Sequence, residues 1–119
     1  LLVIPARVPI ISWTDQASGL QLDLSVNAPA GLHNSEVARR ELPHIPTLRP
    51  LLLVLKSFLL QHDLHKTRDG GVGSYLLFVM ARNLAHRRIA WGADCASAGD
   101  LLLDFLSTYG ALADLHSIT

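Results

Sequence analysis

A disulfide framework, a membrane-spanning segment and an excess of charge of either sign are all missing from this 119-residue chain. Its one cysteine, Cys95, has no second cysteine to pair with, so no internal disulfide can form and a reducing compartment is expected. Cys95 also lacks the neighbours that would give it metal-site spacing. The longest apolar run, Leu51 to Leu55, is far short of the roughly 20 residues that cross a bilayer, so no membrane partner is expected. The formal net charge is +0, so whole-chain charge does not favour nucleic acid. The histidines His33, His44, His62, His65, His86 and His116 form no HExxH or comparable zinc spacing and read as surface or loop residues. No Ser/His/Asp arrangement stands out, and no secretory leader is visible. The chain opens on Leu1 in an apolar, strand-like run, which reads as a cut with a part missing upstream.

What is present begins with apolar mass. Half of the residues are hydrophobic, enough for a real core in one domain, or one domain plus a piece of another. Charge is unevenly spread. Residues 39–88 hold nine lysines and arginines against Glu41, Asp63 and Asp69, whereas the tail from residue 89 carries Asp94, Asp100, Asp104 and Asp114 and no base. A basic middle favours phosphates; solvated helix faces explain the same pattern at least as well.

Periodicity divides the chain into a β-rich start and a helical remainder. Ala6 to Trp13 is rich in β-formers, and Pro9 marks an edge or irregularity there. Residues 14–19 (Thr-Asp-Gln-Ala-Ser-Gly) are turn chemistry. Leu20, Leu22, Leu24 and Val26 then alternate with Gln21, Asp23 and Ser25, which predicts a hairpin with a leucine face and a polar face. Residues 27–31 break the pattern. Asn34 or Ser35 caps a short helix to about Leu42, with Pro43 and Pro46 interrupting. Thr47 caps a long apolar helix that tolerates Pro50 in its first turn and ends near Leu64. A polar loop from His65 to Gly71 follows, then a helix from Ser74 to about His86, a small-residue loop from Ala93 to Gly99, and a last helix, Leu101 to Tyr109, opened by Asp100 and closed by Gly110.

Four features bear on chemistry. Asp23 stands mid-strand, where propensity disfavours it; it is either a solvent-facing residue or a ligand for a hard cation such as Mg²⁺, although one carboxylate does not hold two metals. Asn34 reads as a helix cap or as an amide that fixes a sugar hydroxyl. Lys56 lies among Leu51, Leu52, Leu53, Val54, Leu55, Phe58, Leu59 and Leu60, a helix expected to be buried over most of its surface. Its ammonium therefore snorkels to water or meets an anion. Asp69 to Tyr75 (Asp-Gly-Gly-Val-Gly-Ser-Tyr) runs a glycine-rich loop into a helix, which brings backbone N–H groups such as that of Gly71 toward a phosphate, with Ser74 as a hydroxyl and Tyr75 as a flat face for a base. A plain turn with a Ser cap and a core Tyr fits equally, and the absence of Gly-Lys-Ser/Thr rules out a Walker loop.

Taken in order, these segments resemble a known family. Ala-Arg-Val-Pro-Ile-Ile at 6–11 and Gly-Leu-Gln-Leu-Asp-Leu-Ser-Val-Asn at 19–27 are similar to palm strands of the noncanonical, DNA polymerase sigma-type poly(A) polymerases, to which terminal uridylyltransferases are related. Gly-Leu-His-Asn-Ser-Glu at 31–36, Leu-Arg-Pro-Leu-Leu-Leu-Val-Leu-Lys-Ser-Phe-Leu at 48–59, Gly-Gly-Val-Gly-Ser-Tyr at 70–75 and Asp-Leu-Leu-Leu-Asp-Phe-Leu-Ser-Thr-Tyr-Gly at 100–110 follow in the family's order. The resemblance implies an α+β fold. A two-stranded remnant of a nucleotidyltransferase palm (1–28) would precede a mostly helical poly(A) polymerase central domain (29–119). It implies template-independent addition of nucleotides, AMP from ATP foremost, to an RNA 3′ end with two metal ions, Mg²⁺ or Mn²⁺. Asp23 would be the third metal-binding carboxylate, Asn34 would contact the ribose, Lys56 the triphosphate, Ser74 and the loop around Gly71 the phosphates, and Tyr75 would stack on the base. A uridylyltransferase and an inactive RNA- or protein-binding paralogue are the alternatives. An RNA-binding or helicase partner protein and a nuclear location, with the cytoplasm possible, go with the family.

Departures from the pattern matter. The family's upstream Asp-x-Asp strand is absent, so this chain by itself is expected to be inactive. Leu60 stands where many relatives carry a second basic residue, which weakens the triphosphate grip or shifts it to Lys66 or Arg68. His33 replaces a frequent Arg, and residues 83–99 are fewer than usual, which leaves the choice of adenine over uracil open.

Overall fold

The computed structural model describes residues 2–4, 8–90 and 97–111. The chain divides into two compact units, Leu1–Val37 and Ala38–Thr119. Cys95, Asp94, Asp114 and His116 lie outside the described residues.

The first unit is built on an antiparallel sheet in the order β1 (Leu2–Ile4), β2 (Ile10–Thr14), β3 (Gln21–Ser25). The expected two-stranded remnant is therefore three-stranded. Leu2 pairs with Ser12 and Ile4 with Ile10, so the apolar run at the start of the chain is itself a strand. The expected β2–β3 hairpin is present. Its turn closes through the Asp15 amide on the Leu20 carbonyl (2.8 Å) and the Gly19 amide on the Asp15 carbonyl (2.9 Å). Gly19 takes φ +71°, which a residue with a side chain resists. The Asp15 carboxylate accepts from the Ser18 hydroxyl (2.6 Å) and amide (2.9 Å), and these bonds hold it below the usual aspartate range. Register puts Trp13 opposite Leu22 and Ile11 opposite Leu24, with Ser12 opposite Asp23 on the other face, as alternation requires. All of β3 is exposed, its leucine face included. Asn27, in the left-handed conformation (φ 55°), leads toward α1 (Pro29–Glu41), with Pro29 at the first position, where its missing N–H costs nothing.

The second unit holds the core. After a 3₁₀ turn at Leu42–His44 come α2 (Leu48–Gln61), α3 (Ser74–Ala90) and α4 (Ala98–Leu106), and each of these three helices packs on the other two. Leu48, Leu51 and Leu55 of α2, Leu77, Phe78, Ala81, Leu84 and Ala85 of α3, and Leu101 and Phe105 of α4 are buried at helical spacing, together with Ile45. Thr47 is the N-cap residue of α2, as expected, but its side chain makes no capping bond. The expectation that α2 is buried over most of its surface does not hold: Leu53, Val54, Phe58 and Leu60 are exposed.

Helix α2 stops at Gln61 rather than near Leu64. Asp63 adopts φ 55°, the Leu64 amide returns to the Leu59 carbonyl (2.8 Å), and the Asp63 amide returns to that of Leu60 (3.3 Å). This is a Schellman closure with aspartate in the place glycine usually takes. Helix α3 runs on to Ala90, beyond His86. Ser97, not Asp100, caps α4: its hydroxyl accepts from the Asp100 amide (3.1 Å) while the Asp100 carboxylate accepts from the Ser97 amide (3.1 Å). Gly110 does not terminate a left-handed cap; it lies in a π-helical turn, Ser107–Ala111, that continues α4.

Two arginines of α3 tie its neighbours down. The Arg82 guanidinium donates to Glu41 at the end of α1 (2.9 Å), with His86 3.5 Å from the same oxygen. Arg88 pairs with Asp104 of α4. The Arg82 hydrogen bond, followed by the charges of Arg82 and His86, holds the Glu41 carboxyl below the usual glutamate range.

Candidate nucleotide-binding site

In the sheet unit, Asp23 sits in the middle of β3 with its Oδ1 accepting a hydrogen bond from the Ser12 hydroxyl at 2.6 Å. Ser12 is buried (5% exposed), and its oxygen also accepts from the Gln21 side-chain amide at 3.1 Å. The carboxylate is thus held on a paired strand by a side chain that cannot swing freely, while Oδ2 takes no hydrogen bond from a described residue. That arrangement suits one ligand position of a hard divalent cation. Among the described residues no three His, Cys, Asp or Glu converge on a metal position, so Asp23 supplies one ligand and not a complete centre.

Asn34 and Ser35 do not cap a helix. Helix α1 starts five residues before Asn34, at Pro29, and Ser35 hydrogen-bonds back to the Gly31 carbonyl (2.9 Å). The breaker cluster that marks residues 27–31 in the sequence is consumed by the helix start itself. Asn34 is half-buried within α1. A hollow of about 730 Å³ lies at the junction from β3 into α1, lined by Ser25, Asn27, Pro29, Gly31, Leu32 and Ser35. Asn34 does not line it.

In the helical unit, Lys56 of α2 and Ser74 at the start of α3 line a single cavity of about 320 Å³, closed by Ser57, Leu59, Leu60, His65, Val72 and Leu77. Lys56 is exposed, so its ammonium carries no burial cost. The first amides of α3 point out of the helix start, adding donors and a positive dipole end at Ser74. One cation, two hydroxyls, the His65 imidazole and a helix N-terminus on an otherwise apolar wall make a place for an anion. The volume stands at the small end of ligand pockets, suited to a phosphate chain rather than a whole nucleotide. Next to Ser74, Tyr75 is 39% exposed, its ring 6.0 Å from that of buried Phe78 at 27° between planes, so the aromatic surface is braced from within.

Gly71 acts differently from expectation. Its amide is spent on the Lys66 carbonyl (2.9 Å), and the amides of Gly70 and Val72 bond to Thr67 and Leu64. These N–H groups are therefore not offered to a phosphate. A side chain at Gly71 would collide with the Leu64 carbonyl and come within 2.8 Å of the Lys66 amide, so the glycine lets two stretches of backbone close on each other. Lys66, the expected substitute cation, pairs with Asp63 at 2.9 Å and does not line the cavity; the Arg68 side chain lies outside the described ones. Sequence reasoning missed two residues here. Ser12 was hidden in a β-forming run, and only the hairpin register reveals it opposite Asp23. His65 was read with the other histidines as a loop residue; it follows the chain reversal at Asp63, which no glycine signals.

Residues 1–39 match the family described as the mitochondrial-like poly(A) RNA polymerase central palm domain. The chain is 34% identical over 109 residues to the poly(A) RNA polymerase cid14 of Schizosaccharomyces pombe, covering 88% of this chain and 16% of that protein. It is 32% identical over 112 residues to poly(A) RNA polymerase protein 2 of Saccharomyces cerevisiae, covering 91% and 19%. It is also 32% identical over 117 residues to the inactive non-canonical poly(A) RNA polymerase protein Trf4-2 of Drosophila melanogaster, covering 92% and 28%. A solved structure of the polymerase core of TRAMP, an RNA surveillance complex, superposes with a TM-score of 0.80 at 29% identity, over 95% of this chain and 36% of that one. The fold is thus the α+β arrangement of nucleotidyltransferase palm and helical central domain. The chain belongs to the noncanonical poly(A) polymerase family. It spans 16–17% of the length of the first two curated relatives it matches.

Proposed function

We propose that the full-length protein carrying this chain adds nucleotides, AMP from ATP in preference, to RNA 3′ ends without a template. The observation that supports this most directly is the meeting of Lys56 and Ser74, from separate helices, in one cavity of a size for a phosphate chain. Lys56 neutralises a terminal phosphate, Ser74 donates its hydroxyl to a phosphate oxygen, Tyr75 carries the base on its ring and Asn34 meets the ribose. Gly71 takes part by shaping the loop ahead of α3. Asp23 holds one position on a divalent cation, Mg²⁺ or Mn²⁺, and Ser12 keeps that carboxylate in place; further ligands come from other parts of the full-length protein. Bound there, such a cation lowers the pKa of the attacking hydroxyl and offsets charge on the leaving pyrophosphate. The TRAMP likeness supports an assembly with an RNA-binding or helicase protein, and family association supports a nuclear location. The RNA 3′ end and the nucleoside triphosphate are the substrates; no described helix is long and apolar enough to cross a membrane.

The test is incubation of the full-length protein with an oligoribonucleotide and each of the four triphosphates in turn. Extension with ATP is the expected result, and extension with UTP instead would make the protein a uridylyltransferase. A second reading, an inactive RNA- or protein-binding paralogue, draws on the solitary carboxylate and on the relative named as inactive. Failure to extend with any triphosphate, with RNA binding retained, selects it.

A further inference from the structure

We infer that His65 is a second phosphate-binding group of the cavity that holds Lys56 and Ser74, acting through its Nδ1; this rests on reading that cavity as the triphosphate site. Three observations carry it. First, His65 lines the same cavity, in which Lys56 is the one cation among the lining residues and Leu60, on the same helix, is apolar. A chain of phosphates with several negative oxygens needs more donors than one ammonium and two hydroxyls supply. Second, the Nδ1 of His65 is closed off from water and has no hydrogen-bond partner among the described residues, an arrangement that proteins ordinarily avoid. Third, the residue is fixed in place. The carbonyls on either side of it, of Leu64 and Lys66, accept from the amides of Val72 (2.8 Å) and Gly71 (2.9 Å), so the backbone of His65 is clasped at both ends. The absence of a side chain at Gly71 allows that clasp.

An imidazole held this way has one freedom left, rotation of the ring. Without a ligand the ring rests with Nδ1 buried. With a phosphate chain in the cavity, it turns an N–H, in the neutral Nδ1–H tautomer or the imidazolium, onto a negative oxygen and ends the orphaned state. The histidine then adds from the loop a donor beyond those of Lys56 and Ser57 on α2.

The experiment uses the full-length protein and measures binding of ATP, inorganic tripolyphosphate and adenosine by titration calorimetry in the presence of Mg²⁺. His65→Ala is expected to weaken ATP and tripolyphosphate about tenfold, the scale of one lost charge-assisted hydrogen bond, and to leave adenosine unchanged. His65→Asn, which places an amide nitrogen where Nδ1 sits, is expected to restore most of the loss. Unchanged tripolyphosphate affinity in His65→Ala, beside a clear loss in Lys56→Ala, overturns the inference and leaves the cavity assignment standing. No loss in either Lys56→Ala or Ser74→Ala removes the cavity assignment itself. If His65→Ala melts before it can be titrated, the imidazole ¹⁵N resonances of the unaltered protein decide: a shift of Nδ1 on adding tripolyphosphate supports the contact, and its absence overturns it.

Discussion

The sheet unit and the helical unit solve the burial problem in opposite ways. Every buried apolar residue described lies in the helical unit, between Ile45 and Phe105, whereas the one residue of the sheet described as buried is the polar Ser12. In the helices, burial serves packing: Leu48, Leu51, Leu77 and Ala81 are almost wholly enclosed. In the sheet, burial serves a carboxylate: Ser12 is enclosed with its hydroxyl on Asp23. The apolar core and Asp23 therefore lie in different units, and substitutions at these two places should separate stability from chemistry. A three-stranded sheet with Leu22 and Leu24 exposed has little apolar burial of its own to hold it.

The largest effect expected of any substitution is on chemistry in the sheet. Asp23→Ala in the full-length protein should reduce nucleotide addition to background with an unchanged melting temperature; extension at the unaltered rate would remove Asp23 from the reaction. The reverse effect belongs to the helices. Leu51→Ala should cost about 2–5 kcal/mol in denaturant unfolding, while Leu24→Ala in the sheet stays within about 0.5 kcal/mol. Equal losses at the two leucines would break the contrast between the units. Gly71→Ala forces backbone apart at Leu64 and Lys66 and should destabilise by about 1–3 kcal/mol, read by the same unfolding curves. Tyr75→Ala should leave stability nearly unchanged and weaken ATP binding by about 1–3 kcal/mol, the scale of stacking on a base, measured by calorimetry. The smallest effect concerns pH. The folded value of Glu41 lies below its ordinary 4.5, so the Arg82 pair stabilises the helical unit above that pH and loses its contribution as pH falls through the folded value. Glu41→Gln should flatten that acid limb of a melting-temperature profile and lower the melting temperature slightly at neutral pH.

Legibility in the sequence followed the same division. Strict alternation from Leu20 to Val26 marked the strand and its two faces, because a slip of one residue would exchange them. Thr47, Pro50 and the leucines of α2, and the run from Ser74, located two long helices by periodicity and breakers. What escaped reading was decided by contacts remote in sequence or by unusual backbone. The opening run looked strand-like, but Leu2–Ile4 is too short to carry a period, and its place as a third strand is defined by its pairing with β2. The end of α2 depends on Asp63 taking a left-handed conformation that glycine or asparagine more often signals. Asn34 looked like a cap because Pro29 and Gly31 read as breakers, although a proline also suits the first position of a helix. At the site, Lys56 and Ser74 were legible through the family likeness, while Ser12 and His65 were not, since each acquires its meaning from a partner or a cavity that only the folded chain supplies.

The reciprocal bonds between Ser97 and Asp100 make the start of α4 self-contained. Because α4 carries its own starting signal, the position of Leu101 and Phe105 against α2 and α3 does not depend on how many residues lead up to it. A connector of another length ahead of Ser97 would therefore leave the three-helix core as it is, and the serine-aspartate lock separates the two.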